Sequence, residues 1–359
     1  MKKFILIPSL LLTLFSAGQA FAGSAQTLEC SFLFSSKNDD AAIAKIHDQM
    51  SPCSAVSCMA HAATTKLENM VYLKTGRRIP LSTPHLIANA ARLRFQLLNG
   101  VNSGPKTVFP GYSKIQTAEQ NLIFEAALRF GVVPEGVWQP PGLFGPVADR
   151  TLNLKFILQA PIETLMKGRF LNNQDMYASF DRRLTEQAGP MPESFEFEGK
   201  TYTPKQFAAE ILPNYKQQQI LIEGQEGMNK GFAELTPDAT KTMKVEDALE
   251  LAAASVDRGE AVAASMIWNS RYRHVGIWSI KGKPQTFFLK TFYHGMVIVN
   301  YSRDANGRIE WLKFADTHGL VRGGKPTPFE GHYFVHRSYF EPYMLRLYLF
   351  NNEPSIDEP

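Results

Sequence analysis

The chain holds three cysteines, Cys30, Cys53 and Cys58, and eight histidines, so its candidates for nucleophilic chemistry can be weighed one by one. Around the last two cysteines it reads Asp48-Gln49-Met50-Ser51-Pro52-Cys53-Ser54-Ala55-Val56-Ser57-Cys58-Met59-Ala60-His61. From Met59 the apolar positions 59, 63, 67 and 70 recur at helical spacing with alanines between them, which predicts a buried helix of about four turns opening near Cys58. At a helix N-terminus the backbone N–H groups and the positive end of the dipole favour thiolate over thiol, and the thiolate is the nucleophile. Taken alone, the same pattern also fits a small core cysteine.

A nucleophilic thiol needs a base. Tyr293-His294-Gly295-Met296-Val297-Ile298-Val299-Asn300-Tyr301 places a histidine just before an apolar, β-branched run, a strand signal. Asp304-Ala305-Asn306-Gly307 supplies the turn of a hairpin, Ile309 to Phe314 the returning strand, and Ala315-Asp316-Thr317-His318-Gly319 follows it. The other histidines have plainer readings. His274 is a polar turn residue before a strand, and His61 lies one turn into the cysteine helix as a satisfied buried side chain. His332 and His336 alternate with Tyr333 and Phe334, and without a third ligand at metal spacing zinc is rejected. No metal and no cofactor is expected.

Three kinds of segment must position these residues. Residues 23–145 read as a mainly helical lobe, closed by Gln139-Pro140-Pro141-Gly142. A more polar stretch, 146–245, follows. A helix at Val245 to Arg258 then leads into strand runs at Ala261–Met266, Val275–Ile280, Phe287–Thr291, Val297–Tyr301, Ile309–Phe314 and Leu345–Phe350, a β-rich lobe over 246–350. Helices segregated from mostly antiparallel strands make the class α+β. Residues 351–359 form an acidic tail. Met1 to Ala22, with Lys2 and Lys3 before an apolar run and Ala20-Phe21-Ala22 at its end, has the layout of a secretory signal peptide. Cleavage there leaves a secreted or periplasmic chain with no later 18-residue apolar run, so no membrane partner is expected. The formal charge falls from +4 to +2 without the two lysines, too little for a nucleic-acid footprint.

The segment Ser57-Cys58-Met59-Ala60-His61-Ala62-Ala63, with Leu67-Glu68, Lys74-Thr75-Gly76 and Leu81-Ser82-Thr83-Pro84-His85-Leu86 in ungapped register, resembles the nucleophile region of papain-like cysteine peptidases. Arg129-Phe130-Gly131-Val132-Val133-Pro134, ending a predicted helix over 116–138, is similar to a segment of the bleomycin hydrolase and aminopeptidase C branch. So are Tyr202-Thr203-Pro204-Lys205-Gln206-Phe207 and Asp257-Arg258-Gly259-Glu260-Ala261-Val262. The resemblance implies a papain-like two-lobe fold with the active site in the cleft between lobes, and 146–245 as an insertion like that branch's.

It also implies roles. Cys58 is the nucleophile, paired with His294 as imidazolium, which lowers a thiol pKa of about 8.5 by several units. Asp316 stands where the family has Asn and orients the imidazole through its second nitrogen. Gln49 is similar to the family's side-chain oxyanion donor, nine positions before Cys58 rather than six. His318 stands where the family has Trp, and Thr117-Ala118 where it has paired glycines. Cys53 falls near the family's first disulfide-forming cysteine, and Cys30 is the residue left to bridge it, the alternative being two buried thiols. The implied function is hydrolysis of peptide or protein substrates through a thioester. The alternatives are a catalytically weak papain-fold protein that binds peptide or a partner, and an acyl transferase with the same dyad.

Overall fold

A computed structural model describes residues 58–100, 120–138, 173–224, 240–269, 273–274, 277–279, 291–316, 321–322, 325–326 and 331–352. The first helix, α1 (Cys58–Thr75), is buried on nearly every side from Ala62 to Val71, with Thr64, Lys66, Glu68 and Asn69 among its buried side chains. Thr64 sits in its interior and donates its hydroxyl to Ala60 O at 2.9 Å. Gly76 ends the helix at φ 68°. Helix α2 (Thr83–Gly100) opens with the Ser82 hydroxyl accepting from His85 N at 3.3 Å.

Helix α3 (Gln120–Phe130) stops eight residues short of the sequence expectation. Gly131 takes φ 83°, and any Cβ there would overlap the carbonyl of Pro204. Beyond it Val133 O accepts from Ser82 N at 2.9 Å, and Pro134 bridges Leu81, so the segment pairs with the α1–α2 connection instead of coiling. Helix α4 (Asn173–Ala188), the hairpin β1 (Phe195–Phe197) and β2 (Lys200–Tyr202), and helix α5 (Pro204–Ile211) follow. Thr203 and Gln206 form a capping box on α5, with Pro204 in its first turn.

The remaining elements are β3 (Tyr215–Ile222), β4 (Thr240–Met243), α6 (Val245–Asp257), β5 (Val262–Asn269), β6 (Arg273–His274), β7 (Ile277–Trp278), β8 (Thr291–Arg303), β9 (Ile309–Ala315), β10 (Val321–Arg322), β11 (Lys325–Pro326), β12 (His332–His336), α7 (Arg337–Tyr343) and β13 (Met344–Asn352). Nine strands make one sheet in the order β4-β3-β13-β5-β8-β9-β12-β7-β6, and β10 pairs with β11 apart from it. Pairing is antiparallel except at β3–β4 and β12–β7. The class is α+β, as expected. Strands β3 and β4, from the polar stretch, extend the sheet beyond β13.

The sheet is covered on both faces, which is why its central strands carry continuous apolar runs rather than a one-sided alternation. Val262, Ala264, Met266, Met296, Ile298 and Leu347 belong to one core with Leu249 and Val256 of α6 and Tyr339 and Tyr343 of α7. On the other face Ala263, Tyr348 and Phe350 join a helical core built on Leu67, Leu86 and Phe124, and Val297 and Val299 meet Ala62 of α1. Helix α1 is tied to the start of β5 by one side chain: Asn69 Nδ2 donates to Gly259 O at 3.1 Å and its Oδ1 accepts from Ala261 N at 2.9 Å. Among the described residues no helix is long and apolar enough to cross a membrane.

Candidate active site

Cys58 is the first residue of α1, 2% exposed, and carries a thiol. That places its sulfur at the end of the helix where N–H groups project beyond the hydrogen-bonded ladder and negative charge is favoured. His294 lies in β8 opposite Met266 of β5. The hairpin register pairs Val297 with Ala315, so Asp316, one residue beyond β9, falls level with 296 and on the same side of the ladder as 294. Its carboxylate Oδ1 is 2.9 Å from His294 Nε2, with both residues at most 3% exposed. Asp316 is fixed in turn by its backbone N–H, which donates to Gly331 O at 2.8 Å.

A backbone contact brings the two halves together. A Cβ added to Gly295 would stand 2.8 Å from Met59 Cα and 3.1 Å from Met59 N, closer than real side chains tolerate. The main chain of β8 therefore lies directly on the first turn of α1. The residue after His294 touches the residue after Cys58. With Nε2 committed to Asp316, the remaining ring nitrogen, Nδ1, is the one left to exchange a proton with a nucleophile.

Aromatic rings wall in the imidazole. The Trp268 indole stands edge-on to it, with centroids 5.5 Å apart, and is backed by Tyr333 at 5.8 Å and Tyr339 at 6.0 Å. Trp268 and Gly295 adjoin these candidates and were not singled out by sequence reasoning. Nothing local marks either one: Trp268 ends an apolar run, Gly295 begins another, and only the β5–β8 pairing and the α1–β8 contact give them meaning.

The other titratable groups in the interior have different surroundings. His85 of α2 is 2% exposed beside Asn89, and burial, helped by the positive charge of Arg92, pushes its pKa down to about 3. It is thus neutral at ordinary pH. Lys66, two turns along α1 from Cys58, is 1% exposed, and burial pushes it down to about 8 against the weaker pull of Glu260 at 4.0 Å. His274 lies in β6 at the edge of the sheet, four strands from β8 and so roughly 19 Å away at strand spacing. It is no rival base. His336 caps α7, its Nδ1 accepting from Ser338 N at 3.0 Å. Among the described residues no group of three His, Cys, Asp or Glu could hold a metal. Gln49, Cys30, Cys53, Thr117-Ala118 and His318 lie outside the described residues.

No protein-family model and no curated relative matches the chain. Solved structures do. PepW from Lactobacillus rhamnosis HN001 is similar at 13% identity and TM-score 0.57, over 96% of this chain and 92% of that one. Xylellain, a cysteine protease from Xylella fastidiosa, is similar at 11% identity and TM-score 0.42 over 83% and 80%. Procathepsin B S9 from Trypanosoma congolense is similar at 10% identity and TM-score 0.40 over 89% and 76%. The fold is papain-like, and PepW shares it over nearly the whole of both chains.

Proposed function

We propose that this chain is an exported cysteine peptidase in which Cys58, His294 and Asp316 hydrolyse peptide bonds through a thioester. The observation that carries the reading is the buried 2.9 Å His294–Asp316 hydrogen bond on a strand whose next residue packs against the first turn of the Cys58 helix.

In this reading His294 Nδ1 holds the thiol proton, and the Cys58 thiolate attacks the substrate carbonyl carbon. A C–S bond forms and the carbonyl electron pair moves onto oxygen. Cys58 N–H and the Gln49 side chain stabilise that oxyanion, each donor of this kind contributing about 3 kcal/mol. Collapse breaks the C–N bond, and the imidazolium proton leaves with the amine. Water then attacks the thioester while His294 takes its proton, the C–S bond breaks, and the acid departs. Asp316 stays ionised throughout, holding the ring and balancing its charge. Export through residues 1–22, the Cys30–Cys53 bridge, the cleft between lobes and the insertion over 146–245 belong to the same reading.

Labelling tests it. Iodoacetamide at neutral pH should alkylate Cys58 rapidly, His294→Ala should slow this by at least tenfold, and a peptide-library digest should show cleavage that Cys58→Ala abolishes. Slow labelling indifferent to His294→Ala, with no digest, would leave a silent binding protein as the better account.

A further inference from the structure

We infer that Trp268 is a positioning residue for His294, acting through the imidazole rather than on substrate; this rests on the reading of Cys58 and His294 as a pair. Trp268 is 1% exposed and two residues beyond Met266, which faces His294 across the β5–β8 ladder. Its ring meets the imidazole at 64° with centroids 5.5 Å apart, the edge-to-face arrangement that aromatic pairs favour.

The indole is itself held from two other elements. Tyr333 of β12 and Tyr339 of α7 pack against it, and Tyr339 donates its hydroxyl to Ile267 O at 2.9 Å, fixing the β5 backbone one residue before Trp268. Tyr343 stacks 4.7 Å behind Tyr339. Three elements thus converge to make one rigid aromatic wall.

Two consequences follow for His294. The ring cannot swing toward β5 without displacing a locked indole, so Nε2 stays aimed at Asp316. Water is also kept from that side of the Nε2–Oδ1 bond, and a charge-assisted hydrogen bond is stronger where the surroundings are dry. An aromatic edge supplies both effects; a flexible aliphatic chain fills volume without fixing the ring.

The test compares Trp268→Phe with Trp268→Leu in the full chain. With ¹⁵N-labelled histidine, the His294 ring N–H should exchange slowly with solvent in the wild type and in Trp268→Phe, and at least tenfold faster in Trp268→Leu. Alkylation of Cys58 by iodoacetamide at neutral pH should fall at least tenfold in Trp268→Leu and recover to within about threefold in Trp268→Phe. If Trp268→Leu does not fold, Trp268→Met takes its place. Leucine or methionine variants with wild-type exchange overturn the inference. Because exchange reads the His294–Asp316 bond directly, it decides the role of Trp268 even in a chain that neither labels nor cleaves, an outcome that would sink the peptidase reading alone.

Discussion

Asp316 carries the sharpest test available from one side chain. An amide can accept the Nε2–H bond through its oxygen, as the resemblance implies for the Asn at this place, so Asp316→Asn should keep a tenth or more of the rate. Asp316→Ala should lose two orders of magnitude or more, because the ring then has no acceptor to orient it. Measuring kcat/KM for both variants decides this, and equal loss in the two would mean that the negative charge itself is essential. Cys58, His294 and Asp316 could be singled out as candidates in the sequence because their neighbours carry local signals: a helix start, a polar-to-apolar strand opening, a strand end. Trp268 was not. It stands 26 positions before His294, and a role created by strand pairing leaves no trace at that separation. The chain's His318, where the resemblance expects an indole, gave no hint that another strand brings an indole to the same imidazole.

Between elements, the α1–β8 contact is the tightest in the site. Gly295→Ala installs a methyl group less than 3 Å from backbone and sulfur of Met59, so the strand and the helix must separate. Overpacking of this kind costs about 1–3 kcal/mol. The expected result is a lower urea midpoint together with a drop in kcat/KM of tenfold or more, since the separation falls between the two side chains proposed to react; an unchanged rate in a destabilised protein would show that the proposed dyad tolerates the shift. Lys66, further along α1, makes a second case. Its pKa of about 8 lies below the ordinary 10.5 because burial disfavours the ammonium. The unfolded chain therefore binds more protons than the folded one between those values, and this group's contribution to stability rises with pH across that window. Lys66→Met removes the cost. Its stability advantage over wild type should be largest near pH 7 and shrink by roughly 2 kcal/mol toward pH 10, read from urea unfolding at the two pH values. An advantage independent of pH would mean that Lys66 holds its proton in the folded state as firmly as in the unfolded chain. Glu260 stays hydrogen-bonded to Arg258 at 3.0 Å in either case.

At the scale of the whole molecule, the sequence indicated two lobes because helical periodicity dominates one part and strand runs another. The boundary between them was less legible. Strands β3 and β4 come from the polar stretch, and β13, the strand that pairs with β3, is about 130 residues away from it in the chain, a pairing that no local pattern announces. The helix read through 138 ended at 130 because Gly131 must accommodate Pro204, again a distant contact. The same long-range pairing joins the sheet to the helical core. Tyr348 and Phe350 are sheet residues, yet they belong to the helical core: Phe350 sits 4.8 Å from Phe124 of α3, 4.7 Å from Tyr215 of β3 and 4.9 Å from the Lys66 ammonium of α1. A chain of this size often unfolds in stages. Here helix α1 and strand β13 share buried side chains, so the loss of one core uncovers the other. Phe350→Ala should therefore cost about 3–5 kcal/mol and lower the transitions seen by far-ultraviolet circular dichroism and by tryptophan fluorescence together. A Phe350→Ala protein in which the two signals separate, one lobe melting while the other holds, would show that the cores are coupled only through the connecting chain.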